Sequence, residues 1–151
     1  MWRQIRGGGL SYHYSLNLVI SEGLLFFSLF KATQLVSAYK EAFNIVKKHV
    51  DGQEKWSDSL LESSKSSLIF DLIEREKSVS GLSFESMLCY YRQVDIDYNK
   101  QLIKQVSKVT FDDLQRVGLT YLLPLFDSNK SKCSICCHPS KVNEIINGFK
   151  E

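Results

Sequence analysis

The stretch LSYHYSLNLVISEGLLFFSLF, residues 10–30, decides the fold class. Its first half alternates between apolar and polar side chains, and the apolar members are Leu10, Tyr12, Tyr14, Leu16, Leu18 and Ile20. A period of two predicts a β-strand with one buried face. Ser21-Glu22-Gly23 is a turn signal. Residues 24–30 form an apolar run, which predicts a second strand that is central in its sheet because both faces are apolar. The two strands make a hairpin.

After the hairpin, apolar residues recur at spacings of three and four, which is the period of an α-helix. They predict an amphipathic helix over residues 32–50 and a serine-rich helix over residues 57–77. Gly81 ends the second helix. Ser83 then caps a short third helix, and a fourth helix covers residues 97–107.

The last third of the chain contains a capping box, because Thr110 offers a hydroxyl and Asp113 offers a carboxylate three residues later. The box opens a fifth helix that Pro124 ends. Residues 132–138 alternate again and predict a third strand. Pro139 begins a final helix.

These elements predict an α+β fold in which an antiparallel sheet, the hairpin plus a late strand, is covered by several helices. A length of 151 residues suits one domain. Three strands make a small sheet for so many helices, and Met1 stands only a few residues before a well-formed strand. We therefore expect a fragment: an incomplete domain that lacks its first strands or pairs with another sheet.

Composition excludes several classes of function. The formal net charge is +2 and no dense block of Lys and Arg occurs, which argues against nucleic acid and against an anionic membrane as partners. The N-terminus lacks the continuous apolar core of a signal peptide, and no apolar run approaches the roughly 20 residues of a membrane-spanning helix.

Three of the four cysteines crowd into residues 133–137. This clustering favours reduced thiols and an intracellular protein, cytoplasmic or mitochondrial.

The first candidate site is the segment from Arg6 to Tyr12, which contains three consecutive glycines. Glycines allow the backbone to approach a ligand closely, and Arg6 offers several donors to a carbonyl or carboxylate. The Tyr12 hydroxyl can donate to the same acceptor, so the pair is suited to hold a peptide carbonyl. The alternative is a glycine-rich entry into a strand with Tyr12 in the core, because Tyr12 shares its parity with Leu10 and Leu16.

The second candidate site is Cys133-Ser-Ile-Cys136-Cys137-His138, whose side chains are those that zinc prefers. No second pair answers the Cys-x-x-Cys, and on a strand Cys133 and Cys137 face away from Cys136 and His138. We therefore predict no metal site here and interpret the cysteines as small apolar residues of a buried strand.

A self-contained hydrolytic site is not indicated. The three histidines, His13, His49 and His138, do not stand in His-x-x-Glu-His spacing, and no Gly-x-Ser-x-Gly elbow occurs. The sequence thus predicts no catalytic residue in this chain.

The order of the motifs resembles the C-terminal domain of the insulinase/pitrilysin (inverzincin) zinc metallopeptidases. The resemblance rests on the glycine-rich strand with Arg6 and Tyr12, the apolar strand and long helix that follow, and the final order of capping box, helix, proline, strand and helix. The six-residue step from Arg6 to Tyr12 is most similar to the presequence-protease-like branch. The resemblance covers nearly the whole chain.

The resemblance implies that residues 1–151 are the C-terminal part of a non-catalytic domain of a zinc metalloendopeptidase. In that family, four related domains enclose a chamber, and zinc is bound by His-x-x-Glu-His in the first domain. The last domain binds no metal and contributes an Arg and a Tyr that contact the substrate backbone. By resemblance, Arg6 and Tyr12 are substrate-binding, and the partners are a peptide and the remaining metallopeptidase domains. This sequence departs from the pattern at His13, where a glycine is commoner.

Two other functions remain open from the sequence. One is a stand-alone interaction module that has no enzymatic activity and binds a protein through a strand edge or a helix face. The other is a zinc-binding module built on residues 133–138.

Overall fold

A computed structural model of the protein describes residues 1–150, with side chains through Phe149. The chain forms two compact units. One unit comprises Met1–Glu54 and the part of the chain that follows from Gln115, and the other comprises Lys55–Leu114. The mixture of sheet and helices confirms the predicted α+β class. Within residues 1–150, no helix combines the length and the apolarity that crossing a lipid bilayer requires.

The predicted hairpin is confirmed. Strand β1, Ser11–Val19, pairs antiparallel with strand β2, Leu24–Ala32, and the register places Tyr14 opposite Leu29 and Leu16 opposite Phe27. Gly23 in the connecting turn has φ +64°, a conformation that glycine adopts without a steric penalty. The turn therefore fixes the register that aligns the two strands.

The prediction that β2 is central in its sheet is wrong for the described residues. The sheet contains β1 and β2 alone, so β2 has a neighbour on one side only. Alternate residues of β2 are half-buried, and the exposed ones include Phe26 and Phe30. An apolar run reports a strand with two apolar faces, but it does not report how many strands of the same chain lie beside it.

Helix α1, Leu35–Val50, packs against the hairpin. It begins three residues later than the sequence predicts, because β2 continues to Ala32 and the Gln34 amide donates to the Leu10 carbonyl. Ala38 and Ala42 are fully buried. They form one cluster with Ile5 and with Ile45, and partly buried side chains of both strands pack on this cluster.

Phe126 joins the later part of this unit to its core. Its ring lies 5.7 Å from Phe27 of β2, 5.1 Å from Tyr39 and 5.5 Å from Phe43, the last two on α1. Ring centroids at these separations lie in the range of favourable aromatic pairs. The chain that follows Gln115 is thus held to the same helix that supports the hairpin.

Helix α5, Phe111–Val117, starts at the predicted capping box. The Asp113 amide donates to the Thr110 hydroxyl at 3.3 Å, and the Asp113 carboxylate accepts from the Thr110 amide at 3.0 Å. Pro124 does not end the helical path as predicted. A π-helical turn, Gly118–Leu122, and a 3₁₀ turn, Leu123–Phe126, continue it, and proline is tolerated early in such a turn because its missing N–H would be unpaired there.

The C-terminal end of α1 lies close to the end of α5 and to the residue that follows it. The Gln115 side-chain amide donates to the Val50 carbonyl at 3.0 Å, which satisfies one of the acceptors that a helix end leaves open. Gly118 is buried, and a Cβ built on it would lie 2.5 Å from a methyl group of Val50. Only a glycine allows this approach.

The predicted third strand is wrong. Residues 132–138 pair with no strand of the described chain. The segment alternates as a strand does, but alternation becomes a strand only when another backbone lies alongside. The predicted last helix is confirmed: a 3₁₀ turn, Pro139–Lys141, leads into α6, Val142–Lys150.

The second unit consists of α2, Asp58–Arg75, α3, Val79–Arg92, and α4, Tyr98–Ser107. Ser83 does not cap the third helix as predicted. Its cap is Ser78, whose hydroxyl accepts from the Gly81 amide at 3.0 Å. Gly81 therefore lies inside the first turn of α3 and does not end the preceding helix.

A buried amide joins the helices of this unit. Asn99 of α4 is 6% exposed, and its side-chain nitrogen donates to Glu76 at 2.6 Å and to Glu85 at 3.3 Å. Leu72, Cys89 and Val106 are buried in the same unit. Its small apolar interior is thus combined with a polar contact that links all three helices.

We expect Gly118→Ala to lower the free energy of unfolding by about 1–3 kcal/mol, because the added methyl group overlaps Val50 in a packed region. Thr120→Ala is the matched control, since Thr120 is exposed two residues further along the same turn, and its effect should stay within about 0.5 kcal/mol. Urea denaturation of both variants measures the difference. If Gly118→Ala and Thr120→Ala were equally stable, Gly118 would not lie as close to Val50 as the structure places it.

Candidate functional site

The glycine segment reverses the chain so that Arg6 returns onto β1. A π-helical turn, Trp2–Arg6, ends at the glycines, and the Leu10 amide donates to the Ile5 carbonyl. Gly9 has φ +70°, and a Cβ on Gly8 would lie 2.4 Å from the Gln4 carbonyl oxygen. Gly9 adopts a left-handed backbone and Gly8 has no room for a side chain, so both positions need glycine.

This reversal brings the two predicted site residues together. The guanidinium carbon of Arg6 lies 5.3 Å from the centre of the Tyr12 ring, within cation–π distance. Tyr12 is 61% exposed, so the alternative that places it in the core is wrong. Its strand parity is that of Leu10 and Tyr14, which pack against the core of this unit, but Tyr12 between them is exposed.

Two residues that the sequence analysis did not single out belong to the same place. Trp2 lies 6.0 Å from the Arg6 guanidinium, and the Lys31 ammonium lies 6.0 Å from the Tyr12 ring and 5.5 Å from the Phe30 ring. We call Trp2, Arg6, Tyr12 and Lys31 the Tyr12 cluster. The turn at residues 21–23 sets the register of the hairpin, and this register could have indicated Lys31. Ser11 pairs with Ala32 and His13 with Phe30, so Lys31 stands across from Tyr12.

Lys31 has an unusual backbone. Its φ is +50°, and a residue with a side chain pays about 1–2 kcal/mol for this left-handed conformation. Strand pairing is present on both sides, at Ser11 with Ala32 and at His13 with Phe30. The conformation is therefore a local kink in β2 beside Tyr12. Backbone conformations of this strained kind are concentrated at functional sites.

The two cations of the cluster are not neutralised within the described chain. Among residues 1–150, no carboxylate lies within ion-pair distance of Arg6 or Lys31. Both cations lie against the exposed Tyr12 ring, which also carries a hydroxyl that can donate. The cluster is thus suited to a ligand that brings acceptor oxygens, either a carboxylate or a peptide carbonyl.

The cysteine segment differs from its predicted environment. Cys133, Cys136 and Cys137 are exposed free thiols, and only Cys89 is buried. The prediction that the segment's cysteines pack as small apolar residues is wrong, because no other strand of the described residues pairs with the segment. His138 bonds locally, with its Nδ1 2.9 Å from the Ser140 hydroxyl. Within residues 1–150, no group of three or more His, Cys, Asp or Glu side chains is arranged to hold a metal ion.

An open groove of about 790 Å³ lies between the start of α1, β2 and the cysteine segment. Its walls include Phe27, Leu29 and Lys31 of β2 and Cys133, Ile135 and Cys137 of the segment. Burial raises the pKa of the Tyr39 phenol in this groove, and the neighbouring Cys133 raises it further. Because Lys31 lines the groove and also lies over Tyr12, the groove adjoins the Tyr12 cluster.

Comparison with known proteins found relatives in three organisms, all described as uncharacterized proteins. They are a Caenorhabditis elegans protein that is 32% identical over 149 residues, a Saccharomyces cerevisiae protein that is 26% identical over 154, and a Schizosaccharomyces pombe protein that is 24% identical over 151. Each match covers 99% of this chain and 15%, 14% and 15% of the respective relatives. The chain thus spans about a seventh of the length of the relatives it matches. No protein-family model and no solved structure matches it.

Replacing Lys31 tests the kink beside Tyr12. We expect Lys31→Gly to be more stable than Lys31→Ala by about 1 kcal/mol, because glycine adopts φ +50° without the penalty that alanine pays. Ser28 is the matched control at an ordinary strand position, where alanine should exceed glycine by about 0.5–1 kcal/mol. Denaturant unfolding of the four variants measures both differences. If alanine were more stable than glycine at position 31 as well as at position 28, the left-handed conformation of Lys31 would be contradicted.

Proposed function

We propose that this chain is a non-catalytic, substrate-chamber domain of an insulinase-like zinc metalloendopeptidase, and that Arg6 and Tyr12 hold the backbone of a peptide substrate. The observation that carries the proposal is the exposed pair itself, with the Arg6 guanidinium 5.3 Å from the Tyr12 ring and no carboxylate within residues 1–150 to neutralise it. Arg6 lies against a ring that also offers a hydroxyl.

The geometry supports a role in binding rather than in bond cleavage. A guanidinium that stacks on a ring keeps its edge N–H groups free, and these groups donate in the plane in which a carbonyl or carboxylate accepts. The Tyr12 hydroxyl adds a neutral donor next to them. Lys31 contributes a second cation at 6.0 Å from the same ring. Such a set fixes the position of an extended peptide and activates no water.

Catalysis in this proposal belongs to another domain. The described residues do not fit a catalytic zinc, because they bring no three ligand side chains together and contain no His-x-x-Glu-His. When bound in the parent enzyme, zinc would activate the attacking water. The domains that carry it are then the partners of this chain. The exposed thiols of residues 133–137 fit a reducing compartment, cytoplasmic or mitochondrial.

Peptide binding tests the role of the pair. In a Trp56→Phe background Trp2 is the sole tryptophan of the chain, and it reports on Arg6 at 6.0 Å. We expect a capped peptide of alanine and serine to change the Trp2 fluorescence on titration. Arg6→Gln should weaken binding about ten- to a hundredfold, because a hydrogen bond to a charged group contributes about 1.5–3 kcal/mol. Tyr12→Phe should weaken it only a few-fold.

Arg3→Gln is the control for general charge, because Arg3 is exposed on the same turn as Arg6. It should leave the affinity unchanged, and circular dichroism should show the same fold in every variant. Equal losses in Arg3→Gln and Arg6→Gln would reduce the cluster to a diffuse positive surface. Absence of any titratable fluorescence change would end the proposal for this chain.

The enzymatic part of the proposal is tested on a longer protein. We expect the purified Caenorhabditis elegans relative to contain stoichiometric zinc and to cleave a quenched fluorogenic peptide, with activity lost in a chelator and restored by zinc. Substitutions at its positions matching Arg6 and Tyr12 should raise KM more than they lower kcat, since binding is what these positions supply in the proposal. A metal-free relative without peptidase activity would refute the family assignment.

A stand-alone interaction module is the second candidate, and one observation favours it. The hairpin exposes large apolar side chains, including Leu16 at 50% and Leu18 at 64% on the same face of β1. Contiguous exposed apolar surface marks places where other proteins bind. The two candidates separate in the peptide titration, because an interaction module would lose binding in Leu18→Ser and keep it in Arg6→Gln.

A further inference from the structure

Two backbone segments border the groove, and within residues 1–150 each has at least one side without a neighbouring strand. Strand β2 pairs with β1 on one side only. Within the described chain, no backbone hydrogen bond joins residues 132–137 to another backbone group. Both Phe27 of β2 and Ile135 of the segment line the groove. Both segments thus carry backbone groups that are unpaired within the described residues and can bond to an added strand.

Unpaired backbone of this kind is costly where it is shielded from water and is a template for pairing where it is exposed. A hairpin of two strands is also marginal as a sheet. Insertion of one extended chain would satisfy both borders at once. It would convert the hairpin and the predicted third strand into a sheet of four strands.

The groove is open to solvent and has a volume of about 790 Å³, so it can admit a short strand of a few residues. Its apolar wall at Phe27, Leu29 and Tyr39 suits one face of the strand, while Ser134 and Lys141 border it with polar groups.

We propose that the groove between β2 and residues 132–138 accepts a β-strand that pairs with both, and that this strand comes from another part of a longer polypeptide. The relatives support this source, because each holds the matching region within a chain about seven times as long. The inference does not depend on the proposed peptidase function. It also explains why residues 132–138 alternate as a strand without forming one.

Hydrogen exchange with a generic strand probe tests the groove. Main-chain bonds supply much of the affinity when a strand is added to an edge, so the probe is a capped peptide of alternating valine and threonine with a lysine at each end. We expect it to slow exchange at alternate amides of β2 and at residues 132–137. It should also slow alkylation of Cys133 and Cys137 several-fold, with the buried Cys89 as the internal reference.

The matched control is the same peptide with its alternate amides N-methylated, which removes donors without changing the side chains. It should give no protection. Equal protection by both peptides would show simple apolar adsorption, and protection confined to Tyr12 and Arg6 would show a substrate contact instead. No protection at the solubility limit of the probe, or protection that rises with protein concentration alone, would also overturn the proposal.

Two proline variants sharpen the test without touching the sheet. Ser134 and Ile135 are exposed neighbours, and once the segment is paired as a strand its successive amides point to opposite sides. Only one of Ser134→Pro and Ile135→Pro therefore removes a donor that faces the groove. That variant should lose protection by the probe, while the other should keep it. Equal behaviour of the two variants would show that the segment does not pair with the probe.

Discussion

Burial of Ile5 against α1 is the contact on which the arrangement of the first unit depends. Ile5 is fully buried, and it meets Ala38 and Ala42 on the helix, whose short side chains let the N-terminal turn come close. Burying a side chain of this size contributes about 1.5–3 kcal/mol. Because Ile5 points inward, the next residue, Arg6, is held at the surface, and the glycines that follow can turn the chain back only onto β1. The position of the Arg6–Tyr12 pair is thus a consequence of packing in the core.

Local patterns predicted the elements whose stability is local. The alternation of β1, the turn at Gly23 and the capping box at Thr110 are specified by residues close in sequence, and all three are present. Residues 132–138 show the limit of such patterns, because alternation indicates only that a segment can pair. Whether it does pair depends on a second backbone, which no residue of the segment itself encodes.

The candidate site was predictable in the same uneven way. Arg6 and Tyr12 stand out in the sequence because glycines separate them, and the structure brings them together. The exposure of Tyr12 was not predictable from its parity, because Leu10 and Tyr14 share that parity and pack against the core, whereas Tyr12 does not. Lys31 could be placed beside Tyr12 only once the pairing of the two strands was known. Its left-handed backbone could not be predicted from the sequence, since left-handed positions usually hold glycine.

Asn99 determines how uniquely the helices of the second unit pack, more than how stable the unit is. The unit buries few apolar side chains, and such a small interior would tolerate α4 sliding or rotating by a residue against its neighbours. An amide that reaches Glu76 and Glu85 at once does so in one register only, and a buried polar group left without partners is penalised. Replacing Asn99 by leucine would therefore widen the range of arrangements in which α2, α3 and α4 pack, even where the helices themselves persist. In this unit a polar contact selects among packings that the apolar residues leave nearly equivalent.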